Sequence, residues 1–317
     1  MAPVVVLVLI AVVAGGAAAA VRGHPGDGTP AARFWEAALP GSPMPEAIAD
    51  LVQKGTDHSP LAEHRSAAMF LPNACLGYKY DIQCGKPPPA STEAAPAVEG
   101  IFFREAAMRV GSTMTVALPA AVPAAFLPRD VADRIPFGNL TDALATFNIA
   151  PGSQEADQLS DTVRECAAPP LAGERKACAT SLEGVVLSAT RMLGTRRVAA
   201  AASALPSTGL PRAAYVVQAT SPLGGSRFVA CHSRPYPYAV YQCHMTERSS
   251  KAYVVSIRGG MPGDTTMGMA ALCHFDTSNW NPAHPAFKIL RTHPGGSPVC
   301  HFLPYADLLF GEKAANA

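Results

Sequence analysis

The chain has no charge excess to work with. Its 25 Lys and Arg stand against 24 Asp and Glu, only 15% of residues are charged, and the formal net charge is +1. A basic surface that grips phosphate backbones is excluded, so no nucleic-acid partner is expected. Tryptophan is scarce at 2 residues. The common catalytic signatures are missing: no G-x-S-x-G, no H-E-x-x-H, no P-loop and no G-x-G-x-x-G. Ser297 follows two glycines, but Val299 breaks the nucleophile-elbow pattern. What is present is a chain of 317 residues, 49% of them hydrophobic, which is enough to build a real core and too apolar for wholesale disorder. Its 8 cysteines are an even number whose meaning depends on the compartment.

The compartment is read from residues 1–20. Ala2 to Ala20 is an unbroken run of apolar and small residues, with its strongly apolar part at Val4 to Val13. That part is short of the roughly 20 residues a bilayer-spanning helix needs. A small-x-small site at Ala18–Ala20 offers cleavage, and no Lys or Arg precedes it. An uncleaved anchor is the alternative. The reading taken is a signal peptide over 1–20, a secreted protein with no membrane segment after cleavage, and oxidised cysteines.

Residues 21–100 read as an N-terminal segment and linker. Residues 21–32 are Gly, Pro and Ala-rich and read as unstructured, and a short helix after Pro45 places Ile48, Leu51 and Val52 on one side, where it needs a surface to dock on. From Ile101 to about residue 310 the texture is that of one α+β domain, with a helical first half and an antiparallel β-sheet second half. Ile101–Phe103 and Thr113–Leu118 read as strands. Three helices follow: one around Leu140, Leu144 and Phe147, one capped by Ser153 and ending at Cys166, and one opened by a Thr180-x-x-Glu183 capping box and closed by Gly194. Beyond residue 212 the expected strands are 214–219, 227–232, 239–244, 252–257, 268–274 and 286–291.

Four of the cysteines are each followed by histidine: Cys231-His232, Cys243-His244, Cys273-His274 and Cys300-His301. On a strand, adjacent side chains point to opposite faces, so such strands gather cysteines on one face and imidazoles on the other. In an oxidising compartment the cysteines form two disulfides, in any of three connectivities, and the four histidines remain as the metal-competent set. Imidazoles without thiolate suit copper, zinc or nickel, with copper highest in intrinsic affinity. Two readings compete with this one. Zinc held by Cys and His together needs reduced thiolates, which secretion disfavours. Alternatively, the disulfides staple the sheet and the histidines only pack beside them.

Cys166 and Cys178 lie close enough in sequence to bridge, as do Cys75 and Cys84 around Gly77-Tyr78-Lys79-Tyr80. Each such loop is worth about 3 kcal/mol of chain entropy. Asn139-Leu140-Thr141 is an N-glycosylation sequon at an expected helix start.

The four dipeptides, with Tyr236-Pro237-Tyr238-Ala239-Val240 between the first two and Trp280-Asn281-Pro282 after the third, resemble the plant BURP domain. Phe102-Phe103, Phe126-Leu127-Pro128-Arg129, Ile135-Pro136-Phe137, Cys178 to Glu183 and Pro298 to Pro304 belong to the same pattern, as does the Phe34–Leu51 segment after the signal. The gap between the second and third dipeptides is slightly long, with an insertion around Gly259 to Thr265. The resemblance implies a secreted protein of the apoplast and cell wall. The alanine-rich texture is similar to that of grass tapetal, RAFTIN-like members, which implies a role in anther and pollen-wall development and cell-wall or pollen-wall components as partners. Some members are copper-dependent cyclases that crosslink Tyr or Trp side chains of a peptide. Their ligands correspond here to His232, His244, His274 and His301. No repeated core peptide is found in residues 22–100; the one candidate substrate there is Gly77-Tyr78-Lys79-Tyr80 between Cys75 and Cys84, against a plain disulfide loop, and a separate Tyr- or Trp-containing peptide is the alternative.

Overall fold

The computed structural model describes residues 28–57 and 100–313, apart from 119, 122, 136, 249, 261 and 262. The expected signal peptide, the Cys75 and Cys84 loop and most of the expected linker lie outside the described residues.

The chain opens with α1 (Pro30–Ala38) and α2 (Glu46–Asp57). Thr29 caps α1 by accepting from the Ala32 backbone N–H, and Pro30 occupies the first turn. The helix therefore begins inside the stretch read as unstructured, because one threonine and one proline outweigh the Gly/Ala-rich composition around them. Likewise α2 runs to Asp57, a full three turns within the stretch 21–100 read as N-terminal segment and linker. Trp35 is buried, and its indole N–H donates to the Ser42 carbonyl at 2.8 Å. Gly55 has no room for a side chain, since a Cβ there would lie 1.7 Å from the Phe126 carbonyl oxygen.

The domain continues with β1 (Phe102–Phe103), a 3-10 turn (Glu105–Met108), β2 (Thr113–Leu118), α3 (Arg129–Ala132), α4 (Leu140–Thr146), α5 (Gln154–Ala167), β3 (Glu174–Ala179), α6 (Leu182–Leu193) and β4 (Val198–Ala201). Its second half holds β5 (Leu210–Pro222), β6 (Phe228–Arg234), β7 (Val240–Thr246), β8 (Ser250–Gly259), β9 (Thr266–His274), α7 (Pro285–Leu290), β10 (Val299–Phe302) and β11 (Leu308–Glu312). The class is the expected α+β, helices first and antiparallel strands after. The strands divide into two sheets, ordered β1-β10-β9-β8-β5-β2 and β3-β7-β6-β11-β4.

Three local readings need correction. Residues 286–291 are helical, because His284 caps with its Nδ1 accepting from the Ala286 N–H and Pro285 starts the turn. A short run of Phe, Ile and Leu cannot by itself separate strand from helix. The cap of α6 is Ser181, whose hydroxyl accepts from Gly184 N–H at 3.2 Å, one residue past the expected Thr180 box. Residues Glu174–Ala179 form β3, a strand absent from the expected set, because its mixed ERKACA sequence shows no alternation.

The two sheets face each other. Phe228, Ala230 and Leu309 of the five-stranded sheet pack with Ala252, Ala270 and Leu272 of the six-stranded one in a common buried layer. The other face of the five-stranded sheet is covered by α1, α2 and α6 through Trp35, Leu51, Val185, Val186 and Ala189. The far face of the six-stranded sheet packs Val255, Ile257 and Met269 with Phe287 of α7 and Trp280. Helices α3 to α5 gather around Tyr236 and Tyr238 at the β6–β7 turn. Among the described residues no helix is long and apolar enough to cross a membrane.

Candidate metal centre

Register places the four dipeptides. Cys231 stands directly opposite Cys243 across β6 and β7, and Cys273 opposite Cys300 across β9 and β10. Both pairs are disulfides, with Cα atoms 3.9 Å apart in each. Of the three connectivities, the structure has the one in which each bond joins neighbouring strands. Cys166 is joined to Cys178, tying α5 to β3.

When two cysteines face each other on antiparallel strands, the histidine after each falls diagonally across the opposite face. That geometry occurs twice. The Cys231–Cys243 bond lies under the helices that cover one outer face, and the Cys273–Cys300 bond in the cluster on the other outer face. All four histidines consequently point into the layer between the sheets. The dipeptides thus gather their imidazoles from two facing sheets, and the cysteines lie on the two outer faces.

The imidazoles form two pairs. His232 Nε2 is 3.2 Å from His244 Nε2, and His274 Nε2 is 3.2 Å from His301 Nε2. Ring centres are 5.3 and 5.4 Å apart within the pairs, and 5.8 Å (His232–His301) and 6.0 Å (His244–His274) between them. A tetrahedral ion with imidazole nitrogens at about 2.0–2.1 Å sets those nitrogens roughly 3.3 Å apart and ring centres roughly 5 Å apart. Among the described residues no three His, Cys, Asp or Glu side chains form a finished cage around one point. The Nε2 spacing within each pair nevertheless matches a four-nitrogen site, with the two pairs slightly spread. Every cysteine of the dipeptides is in a disulfide, which leaves imidazole as the only donor they offer. The donor set fits copper or another imidazole-binding transition metal.

The outward nitrogens explain why Nε2 faces inward. His232 Nδ1 lies 2.7 Å from Asp307 Oδ2, while Asp307 Oδ1 accepts from Ser233 N–H. His244 Nδ1 lies 3.1 Å from Glu174 Oε1, and Glu174 Oε2 accepts from Leu171 N–H. Carboxylates behind ring nitrogens orient metal-ligating histidines. His301 Nδ1 is 3.3 Å from the Phe302 carbonyl oxygen, and buried His274 Nδ1 has no hydrogen-bond partner among the described residues. Trp280 packs edge-on against His274 at 5.1 Å, and His284 lies 4.7 Å from Trp280.

Charge follows burial. Burial holds His232, His274 and His301 well below the ordinary imidazole range, with neighbouring histidines adding to the effect. Burial also pushes Asp307 up to about 8 against the opposing Ser233 hydrogen bond. At Glu174 burial acts upward but is outweighed by His244, the Leu171 N–H and Lys176, and the carboxyl ends below its usual value. One assignment of protons satisfies these directions: Asp307 donates to His232 Nδ1, His232 Nε2–H donates to His244 Nε2, and His244 Nδ1–H donates to Glu174. With Asp307 ionised and both outer nitrogens protonated, two Nε2 lone pairs would face each other at 3.2 Å, an arrangement that calls for a cation between them.

Asp307, Glu174 and His284 were not found by sequence reasoning. Asp307 follows a Pro304-Tyr305 turn and Glu174 sits in a strand without a pattern, so neither carries a local signal. Asn139 of the sequon is exposed and caps α4, accepting from Asp142 N–H at 3.3 Å.

The sequence matches the BURP domain over residues 101–312. The chain is 46% identical to BURP domain-containing protein 13 of Oryza sativa subsp. japonica over 253 residues, covering 76% of this chain and 61% of that protein. It is 38% identical to Protein RAFTIN 1B of Triticum aestivum over a 355-residue alignment, covering 98% of this chain and 96% of that protein. It is 37% identical to BURP domain protein RD22 of Arabidopsis thaliana, covering 66% of this chain and 55% of that protein. The chain thus spans under two thirds of the rice and Arabidopsis relatives and nearly all of the wheat one. With a BURP domain over residues 101–312 and plant relatives of these kinds, the chain belongs to the BURP-domain family.

Proposed function

We propose that this is a secreted plant BURP-domain protein of the apoplast or cell wall that holds one copper ion between its two sheets. The observation that carries the metal reading is the meeting, between facing sheets, of two Nε2 pairs at 3.2 Å whose rings lie 5.8 and 6.0 Å apart across the pairs. His232, His244, His274 and His301 would hold the ion, with Asp307 and Glu174 fixing the first two rings. Three disulfides among the described residues, and none of their cysteines free, support an oxidising compartment. Exposure of Asn139 is compatible with a glycan there. Reproductive tissue, with cell-wall or pollen-wall components as partners, is the setting the family resemblance implies.

The test is elemental analysis of the protein purified mildly from a plant secretory host. The reading expects copper near one equivalent in the extracellular fraction. Zinc alone, no metal, or retention of the protein inside the cell would overturn it.

One observation favours a second reading, a copper-dependent cyclase crosslinking Tyr or Trp side chains. A narrow cleft, partly open to solvent, is lined by Glu174 and Trp280, which touch His244 and His274. Bound copper would supply one-electron oxidation of an aromatic ring, with dioxygen as the final acceptor. The chain's own part would be to meet a peptide at the mouth of the cleft and keep bulk water from the buried rings. Incubating Tyr- and Trp-containing peptides with the copper-loaded protein in air should remove a pair of hydrogen atoms per crosslink. An unchanged peptide mass contradicts this reading.

A further inference from the structure

The histidine layer is closed on nearly every side. His232, His274 and His301 retain 2%, 2% and 0% of their accessible surface, so an ion cannot reach them directly from solvent. His244 differs: its side chain is 12% exposed and that of Glu174 behind it 9%. The cleft named above lies at this point. Glu174 and Thr246 are register partners on neighbouring strands of one sheet, and Thr246 shares the inward face of β7 with His244. Asp276, Ser278, Asn279 and Trp280 on the opposite wall come from the segment after β9 of the other sheet.

The cleft is therefore the seam between the sheets, and its two walls end on one histidine each. Glu174 reaches His244, and Trp280 covers His274. Those two rings face each other at 6.0 Å, almost parallel at 24°. Two contacts span the seam. Asn279 Nδ2 donates to the Ala172 carbonyl at 2.9 Å, and Arg248 Nε pairs with Asp276 Oδ2 at 2.7 Å, with the Arg248 side chain 74% exposed. Both are polar surface contacts of a kind that opens readily.

We propose that this seam is the port through which a metal ion enters and leaves the histidine layer. Glu174 and His244 are its inner threshold, and the Asn279–Ala172 and Arg248–Asp276 contacts are its latch. The inference rests on the four histidines holding a metal. It adds the route and names, in Thr246, Arg248, Asp276 and Asn279, residues that control rate without supplying a donor to the ion. A port changes entry and exit together and leaves the equilibrium alone, whereas a ligand changes the equilibrium.

The test uses the full secreted chain with its disulfides intact and Cu(II) supplied as the glycine complex. Bound copper is counted at timed intervals during uptake, and again during release to excess chelator. Thr246→Trp narrows the cleft beside His244 and should slow uptake and release each roughly tenfold. The double variant Asp276→Ala with Asn279→Ala, on the exposed loop, frees the latch and should speed both several-fold. Final stoichiometry and dissociation constant should match the wild type in each case. A Val110→Trp variant on the exposed turn before β2 should change nothing. Wild-type protein that takes up no copper overturns the metal reading, and the port with it. Copper binding with rates unaltered in the latch variant overturns the port alone. A change confined to release, with weaker binding, also overturns the port, since it marks these residues as part of the holding site. Should Thr246→Trp not fold, the latch variant decides the question.

Discussion

The two histidine pairs are built from the same device and finished differently. In each, a disulfide between facing cysteines on antiparallel strands throws two imidazoles onto the opposite face at an Nε2 separation of 3.2 Å. In the five-stranded sheet both outward nitrogens meet carboxylates, Asp307 and Glu174. In the six-stranded sheet His301 Nδ1 lies near a backbone oxygen, His274 Nδ1 has no hydrogen-bond partner among the described residues, and Trp280 lies against the His274 ring. One pair is oriented by charge and hydrogen bonds, the other by packing. The difference teaches that cross-strand covalent geometry is sufficient to pair the rings, while the surroundings set how firmly each pair is held and how basic it is.

The largest expected effects break the shared device. Replacing both Cys231 and Cys243 by serine should cost about 3 kcal/mol of stability, and replacing Cys273 and Cys300 about 3.5 kcal/mol, from loop-closure entropy. Urea denaturation of the two double variants measures both. Each should also weaken copper binding, because the strands that aim the imidazoles lose their common anchor. If either variant keeps wild-type affinity, the disulfides serve stability only.

Next comes the finish. Asp307→Asn leaves the His232 ring in place but removes the carboxylate behind it, and copper affinity should fall about 10–100-fold by competition titration. On the other side, Trp280→Phe preserves an aromatic edge against His274, whose Nδ1 has no hydrogen bond among the described residues. A change under about threefold is expected there, the scale of a contact without a hydrogen bond. Equal losses from the two substitutions would erase the asymmetry between the pairs.

Much of this layout is legible in the sequence. Four Cys-His repeats, the alternation of a strand and an oxidising compartment suffice to send thiols one way and imidazoles the other. That the strands belong to two sheets is not legible, because only β8 separates the two units in the chain and nothing in a dipeptide states which sheet it joins. Connectivity follows from register, which depends on the β6–β7 turn and on the route from β9 through α7 to β10. Patterned helices such as α6 were readable, down to Gly194 at its left-handed end (φ 71°). Short elements were not. β3 reads ERKACA with no period, and α7 reads like a strand until His284 and Pro285 are seen as its cap and first turn. Asp307 and Glu174 become visible only when distant segments are folded against His232 and His244.

The central claim is that two sheets contribute to a single metal site. Copper titration of the secreted protein, followed by electron paramagnetic resonance, tests it most directly in the wild type and in the His232→Ala and His301→Ala variants. The account predicts one copper per chain with a four-nitrogen signal, and loss of that signal when a histidine is removed from either sheet. Two coppers per chain, or a nitrogen signal unchanged after either substitution, would contradict it.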